Sequence, residues 1–190
     1  MFIYQFYFMK YKYFNYIIDK KWCKLLIEKA TSIGFKNQKV YNRITKKHQF
    51  SAKRKSFVVK LIDDIELKNY IKLALIKYNL EIFKSIQFID HIRIIKYNKG
   101  GYFKLHQDKK QYHEKMFNYT MLIYLNDDYI GGNTLILNNK TKQLFSIKKN
   151  IGSILLFDPQ IIHSGSKLKN GNKYILSVPV YLDKKIIINT

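Results

Sequence analysis

The first part of the chain carries two stretches in which apolar residues recur every three or four positions. The first runs from Asp19 to Gly34, and its spacing predicts an amphipathic helix with Asp19 as N-cap and Gly34 as terminator. The second begins at Asp63, where Asp63 and Glu66 have the spacing of a capping box. The apolar positions are Trp22, Leu25, Leu26, Ala30 and Ile33 in the first stretch, and Leu67, Ile71, Leu75 and Tyr78 in the second. Each helix is therefore predicted to pack one face against a core.

The pattern of polar positions changes between and after these helices. Residues 35–56 are polar and rich in lysine, which predicts a long loop or a ragged hairpin. From about residue 86 the periodicity is that of strands, and short turns with Gly or Asn separate several of the segments. The strand-like segments are HIRIIKYN, YFKLHQD, YTMLIYLN, NTLILNN, KQLFSIKK, GSILLFDP and KYILSVPVYL. Two helices followed by several short strands predict an α+β, mainly β fold, an antiparallel sandwich or barrel with helices on one face.

The apolar opening of the chain, MFIYQFYFMKYKYFNYII, raises the question of a membrane segment. Its uncharged run covers residues 2–9, far fewer than the ~20 residues that a transmembrane helix needs. A signal peptide is also disfavoured, because Lys10 and Lys12 follow the apolar run, whereas a signal peptide has its basic residues in front. We therefore expect an aromatic edge strand that packs against the domain, and no membrane span.

Length and cysteine content narrow the class of protein. With 190 residues, of which 47% are hydrophobic, the chain is expected to form one domain over residues 1–190. Within it, residues 1–85 are expected to be a helical support and residues 86–190 the β core. Cys23 is the single cysteine, which excludes an internal disulfide and favours a reducing intracellular compartment over secretion.

The formal charge of +22 suggests nucleic acid, an anionic membrane or an acidic protein as a partner. The type of basic residue weakens this interpretation, because three of the 35 are arginines (Arg43, Arg54 and Arg93) and 32 are lysines. Recognition of phosphates and base edges draws heavily on arginine. The chain is also rich in Ile, Asn, Tyr and Phe, whose codons are AT-rich, so coding bias explains the lysines about as well. Nucleic-acid binding remains possible but is not favoured.

A candidate metal site lies in the segment KGGYFKLHQDKK, residues 99–110. Residues two apart in a strand project from the same face, so His106 and Asp108 can reach one point. A second histidine, His163, follows the apolar strand GSILLFDP in a short loop, and the intervening chain is long enough to return beside the first pair. Two imidazoles and one carboxylate are typical of non-haem Fe(II), although zinc binds similar ligands. The alternative is an exposed ion pair between Asp108 and the lysines that follow it.

Lys173 opens the apolar strand KYILSVPVYL. A cation that enters a sheet must reach solvent or meet an anion, because an unpaired charge in the interior is costly. A dicarboxylate co-substrate would be such an anion. The alternative is that Lys173 is one of many surface lysines and points outward.

The order of these motifs resembles that of the Fe(II)/2-oxoglutarate-dependent dioxygenases, and within them the prolyl 4-hydroxylase-like branch. The motifs are Tyr97, His106-x-Asp108, TMLIYLNDDYIGGNT, GSILLFD with the following HSG, and Lys173. They span roughly residues 90–182, about half of the chain. The resemblance implies a double-stranded β-helix (jelly roll, cupin-like) with N-terminal helices that support its larger sheet.

The resemblance also implies a set of site residues. His106, Asp108 and His163 match the iron ligands, and Lys173 matches the residue that pairs with the far carboxylate of 2-oxoglutarate. Tyr97, Thr120 and Tyr124 match positions that contact the co-substrate. Dioxygen is the second co-substrate, and ascorbate a possible further requirement.

Three positions depart from the pattern of prolyl hydroxylases. Phe103 stands where a tyrosine often faces the peptide, Pro179 where a tryptophan is common, and Asn133 where a glutamate is usual. The first two lie on the substrate side, so they question prolyl specificity and leave oxygenase chemistry intact. The expected function is hydroxylation of a protein side chain, most simply a prolyl residue. The alternatives are a nucleic-acid-directed oxygenase and a non-enzymatic jelly-roll binding module.

Overall fold

The computed structural model describes residues 11–42, 47–61, 64–77, 86–88, 92–108, 111–112 and 115–182. These residues form two helices, α1 (Lys20–Ile33) and α2 (Ile65–Lys77), and nineteen strands. The strands are β1 (Tyr11–Phe14), β2 (Lys36–Asn37), β3 (Val40–Asn42), β4 (Lys47–Gln49), β5 (Arg54–Lys55), β6 (Phe57–Lys60), β7 (Ile86–Phe88), β8 (Arg93–Tyr97), β9 (Tyr102–His106), β10 (Gln111–Tyr112), β11 (Lys115–Met116), β12 (Tyr119–Tyr124), β13 (Ile130–Gly131), β14 (Thr134–Leu137), β15 (Leu144–Ser146), β16 (Ile154–Phe157), β17 (His163–Gly165), β18 (Leu168–Asn170) and β19 (Lys173–Leu182).

Helix α1 begins and ends where the sequence predicts. The Asp19 carboxylate accepts a hydrogen bond from the backbone N–H of Lys21 at 2.6 Å, and Gly34 terminates the helix at φ 91°. The buried stripe is Cys23, Leu26 and Ala30. Leu25 and Ile33, which were predicted to face the core, are 46% and 56% exposed, because they lie to the side of that stripe.

Helix α2 is capped one residue later than predicted. The Asp64 carboxylate accepts a hydrogen bond from the backbone N–H of Leu67 at 3.0 Å, so Asp64 is the residue that caps it. Asp63 and Tyr78, at the two ends of the predicted helix, lie outside the described residues. The buried face consists of Leu67, Ile71 and Leu75, as the helical spacing predicts.

The larger sheet has the strand order β1-β16-β12-β19-β8-β6-β2, and β7 also pairs with β19. The pairs described in it are antiparallel. One face packs against α1 and α2, with Met121, Ile123, Leu176 and Val178 meeting the buried helix residues in one core cluster. Alternate residues of the same strands therefore point to the other face.

The smaller sheet has the order β15-β14-β17-β9-β5 and lies on that other face. A second core cluster joins the two sheets, with Leu122 and Leu155 from the larger one and Ile136 from the smaller one. Two antiparallel sheets that enclose a core, supported by helices on one side, confirm the predicted jelly roll.

The first 61 residues contribute more strands than the sequence predicts. Strand β1 pairs with β16 at the edge of the larger sheet, which confirms the edge strand for residues 11–14; residues 1–10 lie outside the described part. Between the helices, β3 and β4 form a hairpin, one of the two predicted alternatives. Strands β2 and β6 belong to the larger sheet, and β5 belongs to the smaller sheet. Within the described residues, neither helix is long and apolar enough to cross a membrane.

Candidate metal and co-substrate site

Three potential metal ligands come together at the ends of strands in the smaller sheet. His106 ends β9, His163 opens β17, and the two residues are direct partners in this antiparallel pair. Asp108 lies beyond the end of β9, where its backbone N–H donates to the Pro159 carbonyl at 2.8 Å. One ligand atom from each of the three side chains lies within 4.8 Å of the others. The predicted grouping is present, although a turn, not a continued strand, brings in Asp108, and His163 lies in a strand, not a loop.

The histidine rings are oriented by backbone carbonyls. His106 Nδ1 lies 2.8 Å from the Lys104 carbonyl, and His163 Nδ1 lies 2.9 Å from the Ile161 carbonyl. A carbonyl can only accept, so each Nδ1 carries a hydrogen, and Nε2 is the ring nitrogen that can bind a cation. The two Nε2 atoms lie 3.6 and 3.9 Å from the oxygens of Asp108.

The charge state of the cluster also suits a divalent cation. Burial by itself would raise the pKa of the Asp108 carboxyl, but His163, His106 and the Thr120 hydroxyl together hold it well below its usual value. Burial lowers the pKa of the His163 imidazole, and this effect outweighs the negative charge of Asp108, which raises it. At neutral pH these residues offer a carboxylate and a neutral buried imidazole. Such nitrogen and oxygen donors fit Fe(II), as they also fit zinc.

Aromatic rings hold the two imidazoles in place from outside the cluster. Phe103 stacks on His106 with 3.5 Å between ring centroids, and Phe157 contacts His163 edge-on at 4.7 Å. The Arg54 guanidinium covers the other side of Phe103, 4.1 Å from its centroid. The two histidine side chains are therefore packed against aromatic rings that restrict their orientation.

Thr120 supports the cluster from strand β12. Its hydroxyl donates to Asp108 Oδ2 at 2.7 Å, so it orients the carboxylate that the two histidines face. We expect Thr120→Val to weaken metal affinity about tenfold or more, as loss of partners that orient ligands usually does. Titration with Mn(II) or Fe(II) measures this effect, and Thr31→Val, on the surface of α1, is the matched control. Unchanged affinity in Thr120→Val would show that this hydrogen bond does not position Asp108.

Lys173 lies in the same pocket as His106, Asp108 and His163 and is 2% exposed, so the outward-pointing alternative is wrong. Its Nζ donates to the Gly132 carbonyl at 2.7 Å and lies 3.4 Å from the Thr134 hydroxyl. The rings that surround the ammonium are Tyr97, Tyr124 and Tyr129, with centroids at 5.6, 5.8 and 6.0 Å. Among the described residues no carboxylate pairs with it. Burial, with a smaller effect of the nearby Lys149 charge, lowers the pKa of Lys173 to about 7.

Gly132 shapes the end of the pocket that holds this lysine. Its φ is 63°, a conformation that favours glycine. A Cβ at this position would lie 2.7 Å from Leu168 Cδ1 and 3.5 Å from Lys173 Cδ. The glycine pair that the sequence marks as a turn is thus also the support for the Lys173 side chain.

The three other residues suggested by the resemblance occupy different places. Tyr97 lines the pocket and is the cross-strand partner of Lys173. Tyr124 is buried beside Thr134, and its hydroxyl makes no hydrogen bond of normal geometry with the described residues. Thr120 contacts the carboxylate of Asp108 instead of lining the Lys173 end. Two of the three therefore lie near Lys173 and one near the candidate metal ligands.

Two arginines of the pocket were not predicted from the sequence. Arg54 and Arg93 both line it, from β5 and β8. Arg93 could have been found, since it precedes Tyr97 by four residues and so shares a strand face with it. Arg54 could not, because its strand has two residues and lies in the segment 35–56, for which the sequence predicts a long loop or a ragged hairpin. Of the other histidines, His91 and His113 lie outside the described residues, and the side chain of His48 does too.

The chain is similar to known oxygenases in sequence pattern and in fold. Residues 92–181 match the model of the 2OG-Fe(II) oxygenase superfamily. A prolyl hydroxylase from Trichoplax adhaerens, in complex with a hypoxia inducible factor peptide fragment, has a TM-score of 0.69 at 14% identity, over 96% of this chain and 88% of that chain. The viral collagen prolyl hydroxylase of Paramecium Bursaria Chlorella virus-1 has a TM-score of 0.65 at 18% identity, over 90% and 95%. No curated protein matches the sequence.

The fold is also shared with a protein whose structure contains a ligand other than a peptide. HygX from Streptomyces hygroscopicus, with nickel, 2-oxoglutarate and hygromycin B bound, has a TM-score of 0.63 at 9% identity, over 93% of this chain and 84% of that chain. Likeness at these identities is likeness of fold, so the fold does not select a substrate.

Proposed function

We propose that this chain, in which residues 92–181 match the model of the 2OG-Fe(II) oxygenase superfamily, is an oxygenase of that kind and hydroxylates a side chain in a peptide, most simply a prolyl residue. The observation that carries the proposal is the pocket that holds a His-Asp-His cluster together with a buried lysine. The stability of the fold does not require two histidines, an aspartate and a lysine to lie in one pocket. We further propose that residues 1–190 form a single domain, because both sheets combine strands from either side of residue 85.

His106, Asp108 and His163 are the proposed ligands of Fe(II). Their three ligand atoms converge, the Nδ1 contacts of the histidines fix the tautomer that ligation needs, and Thr120 fixes the carboxylate. Fe(II), when bound, supplies the activation of dioxygen and the oxidative decarboxylation of 2-oxoglutarate. The contribution of the chain is to hold the reactants in orientation and to exclude water.

Lys173 is the proposed partner of the far carboxylate of 2-oxoglutarate. Its ammonium group is buried among neutral groups of Gly132, Thr134 and three tyrosine rings, so a carboxylate would be its first full counter-charge. Tyr97 and Tyr124, with rings close to the ammonium group, are proposed to line the same part of the co-substrate site. Ionic pairing of this kind stabilises a buried lysine in its charged form.

Binding of 2-oxoglutarate should therefore depend on pH. Because the pKa of Lys173 is about 7 without ligand, the ammonium form that pairs with a carboxylate is lost as the pH rises above 7. We expect the affinity for 2-oxoglutarate to fall by about tenfold per pH unit above that value. Anaerobic titration with Mn(II) in place of Fe(II) measures it. Lys173→Arg, whose guanidinium stays charged, should give a flat profile; a flat profile in the wild type would contradict the assignment.

A peptide is the substrate class that we propose, by analogy with two of the proteins that share the fold. One of them is described in complex with a hypoxia inducible factor peptide fragment, and another as a collagen prolyl hydroxylase. Phe103, in place of the usual tyrosine, offers a ring without a hydroxyl, and it is stacked between Arg54 and His106. Pro179 is buried and pairs with Thr120 in the larger sheet. These differences bear on which peptide is bound.

The substrate class is tested by turnover of a defined panel. Proline-rich peptides, collagen-like peptides and single-stranded oligonucleotides are incubated with Fe(II), 2-oxoglutarate and dioxygen. We expect a mass increase of one oxygen on a prolyl residue, in proportion to the succinate formed, with the wild type and not with His163→Ala. Oxidation of an oligonucleotide, with no peptide modified, would refute the peptidyl assignment and leave the oxygenase assignment standing.

A further inference from the structure

Arg93 is a pocket residue to which the proposed reaction assigns no role. It lines the pocket from the first position of β8, on the same strand face as Ile95 and Tyr97. Ile94 and Lys96 point the other way: Ile94 is in the core beneath the helices, and Lys96 lies over the rings of Phe35 and Tyr174. The direction of the Arg93 side chain is thus fixed by the register of the strand.

The hydrogen-bonding capacity of Arg93 is incompletely used. Its Nε is buried and has no hydrogen-bond partner among the described residues, and none of their carboxylates forms a salt bridge with it. A buried polar group without a partner is costly, so it marks a place where a ligand group can bind. Arg54, by contrast, already donates to Ser56 Oγ at 2.7 Å, lies 3.5 Å from the Tyr97 hydroxyl and stacks on Phe103.

The charges around the pocket leave a surplus of positive charge. The charged side chains that line it are Arg54, Arg93, Lys173 and the single described carboxylate Asp108. A divalent cation, the Asp108 carboxylate, a dicarboxylate and a protonated Lys173 together carry no net charge. Arg54 and Arg93 then remain without a counter-charge in a site of low dielectric constant, which favours a further anion.

The position of Arg93 separates it from the co-substrate end of the pocket. Lys173 is paired across the sheet with Tyr97, whereas Arg93 is paired with Ser177. Four residues of strand separate these two pairs, which is about 13 Å between backbone positions. An anion bound by Arg93 is therefore a group other than the carboxylate held by Lys173.

We propose that Arg93 determines substrate specificity by pairing with the carboxylate of an Asp or Glu that flanks the hydroxylated residue. The inference rests on the proposed peptidyl function. A guanidinium matches a carboxylate through two parallel N–H···O bonds, and the free Nε supplies one of those donors. Binding of the acidic side chain would satisfy the unpartnered nitrogen and remove part of the charge surplus at the same time.

The first part of the test uses the wild-type enzyme and paired peptides. One Glu is moved through the positions on either side of a proline, and each peptide has a counterpart with Gln in the same place. At one or two positions we expect Glu to raise kcat/KM at least about tenfold over Gln, through a lower KM, the gain typical of a charged pair that is screened from water. Hydroxylation of Glu and Gln peptides with equal kcat/KM at every position would overturn the role of Arg93.

The second part uses variants of Arg93 with the preferred pair of peptides. Arg93→Met should lose the preference for Glu, because kcat/KM should fall far more for the Glu peptide than for the Gln peptide, and Arg93→Lys should retain only part of the preference. Lys96→Met is the control, because it removes a cation from the opposite face of the same strand. The KM for 2-oxoglutarate should be the same in Arg93→Met as in the wild type. A higher KM in Arg93→Met would assign Arg93 to the co-substrate and overturn the proposal.

The same assays separate this inference from the function on which it rests. If succinate forms but no peptide is hydroxylated, the peptidyl function itself fails. If peptides are hydroxylated and Arg93→Met keeps the full preference for Glu, only the role of Arg93 fails. An oligonucleotide that inhibits the wild type and not Arg93→Met would assign the residue to phosphates, which also overturns pairing with a peptide carboxylate.

Discussion

Replacement of Asp108 by alanine is expected to abolish Fe(II)-dependent decarboxylation of 2-oxoglutarate. Asp108 supplies the only carboxylate of the three-residue cluster and lies within 3.6 and 3.9 Å of the two histidine Nε2 atoms. Loss of residues that merely orient metal ligands costs about 10–100-fold, so loss of a ligand should reduce activity by more than about 100-fold. Succinate formation at saturating 2-oxoglutarate measures this loss, and titration with Mn(II) shows whether metal affinity falls with it.

The matched control for this substitution is Gln107→Ala. Gln107 is exposed and directs its amide to the Gln160 carbonyl at 2.7 Å, away from the cluster. Its replacement alters the same turn without removing a ligand, so activity should stay within about twofold of the wild type. If Asp108→Ala retained wild-type metal affinity and turnover, the metal would have to lie elsewhere.

Replacement of Lys173 by methionine is expected to have two opposite effects. It should remove most of the affinity for 2-oxoglutarate, by about 100-fold or more, because a desolvated charge partner of the carboxylate is lost. It should also stabilise the ligand-free protein, because the wild type carries an ammonium group that is 2% exposed and has only neutral partners among the described residues. From a pKa lowered to about 7, we expect a gain of roughly 1–4 kcal/mol in the free energy of unfolding near pH 7.

The stabilising effect has a defined dependence on pH. Below pH 7 Lys173 is protonated in both the folded and the unfolded chain, so the folded state bears the full cost of burying the charge. Between pH 7 and the ordinary lysine pKa of 10.5, the folded protein releases its proton first, and the stability of the wild type rises with pH. The advantage of Lys173→Met should therefore be largest below pH 7 and should shrink as the pH rises from 7 toward 10.5.

Thermal unfolding without metal or 2-oxoglutarate, together with calorimetric titration of 2-oxoglutarate, measures both effects. Lys169→Met, at an exposed position of β18, is the control and should change neither quantity appreciably. A Lys173→Met protein that is less stable than the wild type at pH 7 would show that the lysine acts as a structural residue. One that binds 2-oxoglutarate normally would place the co-substrate elsewhere.

The period-two pattern of single strands explains why so much of the site could be predicted. Along β12, Met121 and Ile123 face the helices, whereas Thr120, Leu122 and Tyr124 face the smaller sheet. This alternation is local and follows from strand geometry alone. The resemblance to a family then supplied what alternation cannot, namely that His163 and Lys173 return to the same pocket as His106.

Long-range pairing explains what was missed. Strand β5 has two residues and exists because it pairs with β9, so its sequence carries no visible period. Arg54 lies in this strand, so its place in the pocket could not be predicted from the sequence pattern either. The turn that brings Asp108 beside the histidines depends on the carbonyl of Pro159, which is remote in sequence. Such features are set by tertiary contacts and not by the pattern within a segment.

The structure shows which basic residues of the chain lie in the pocket. The formal charge of +22 favours any anionic partner and by itself identifies none. The pocket, however, is lined by three basic residues, Arg54, Arg93 and Lys173, and by a single described carboxylate, that of Asp108. These residues give the pocket a surplus of positive charge. That surplus is the basis for expecting an anionic co-substrate and, beside it, an acidic substrate.

Single-turnover formation of succinate tests the central claim most directly. The protein is loaded with Fe(II) and 2-oxoglutarate without oxygen and then exposed to oxygen, and succinate is measured against enzyme concentration. The wild type should form succinate rapidly, and His106→Ala, folded to the same extent by circular dichroism, should form almost none. Equal succinate from both proteins would contradict the assignment of His106, Asp108 and His163 as the iron site.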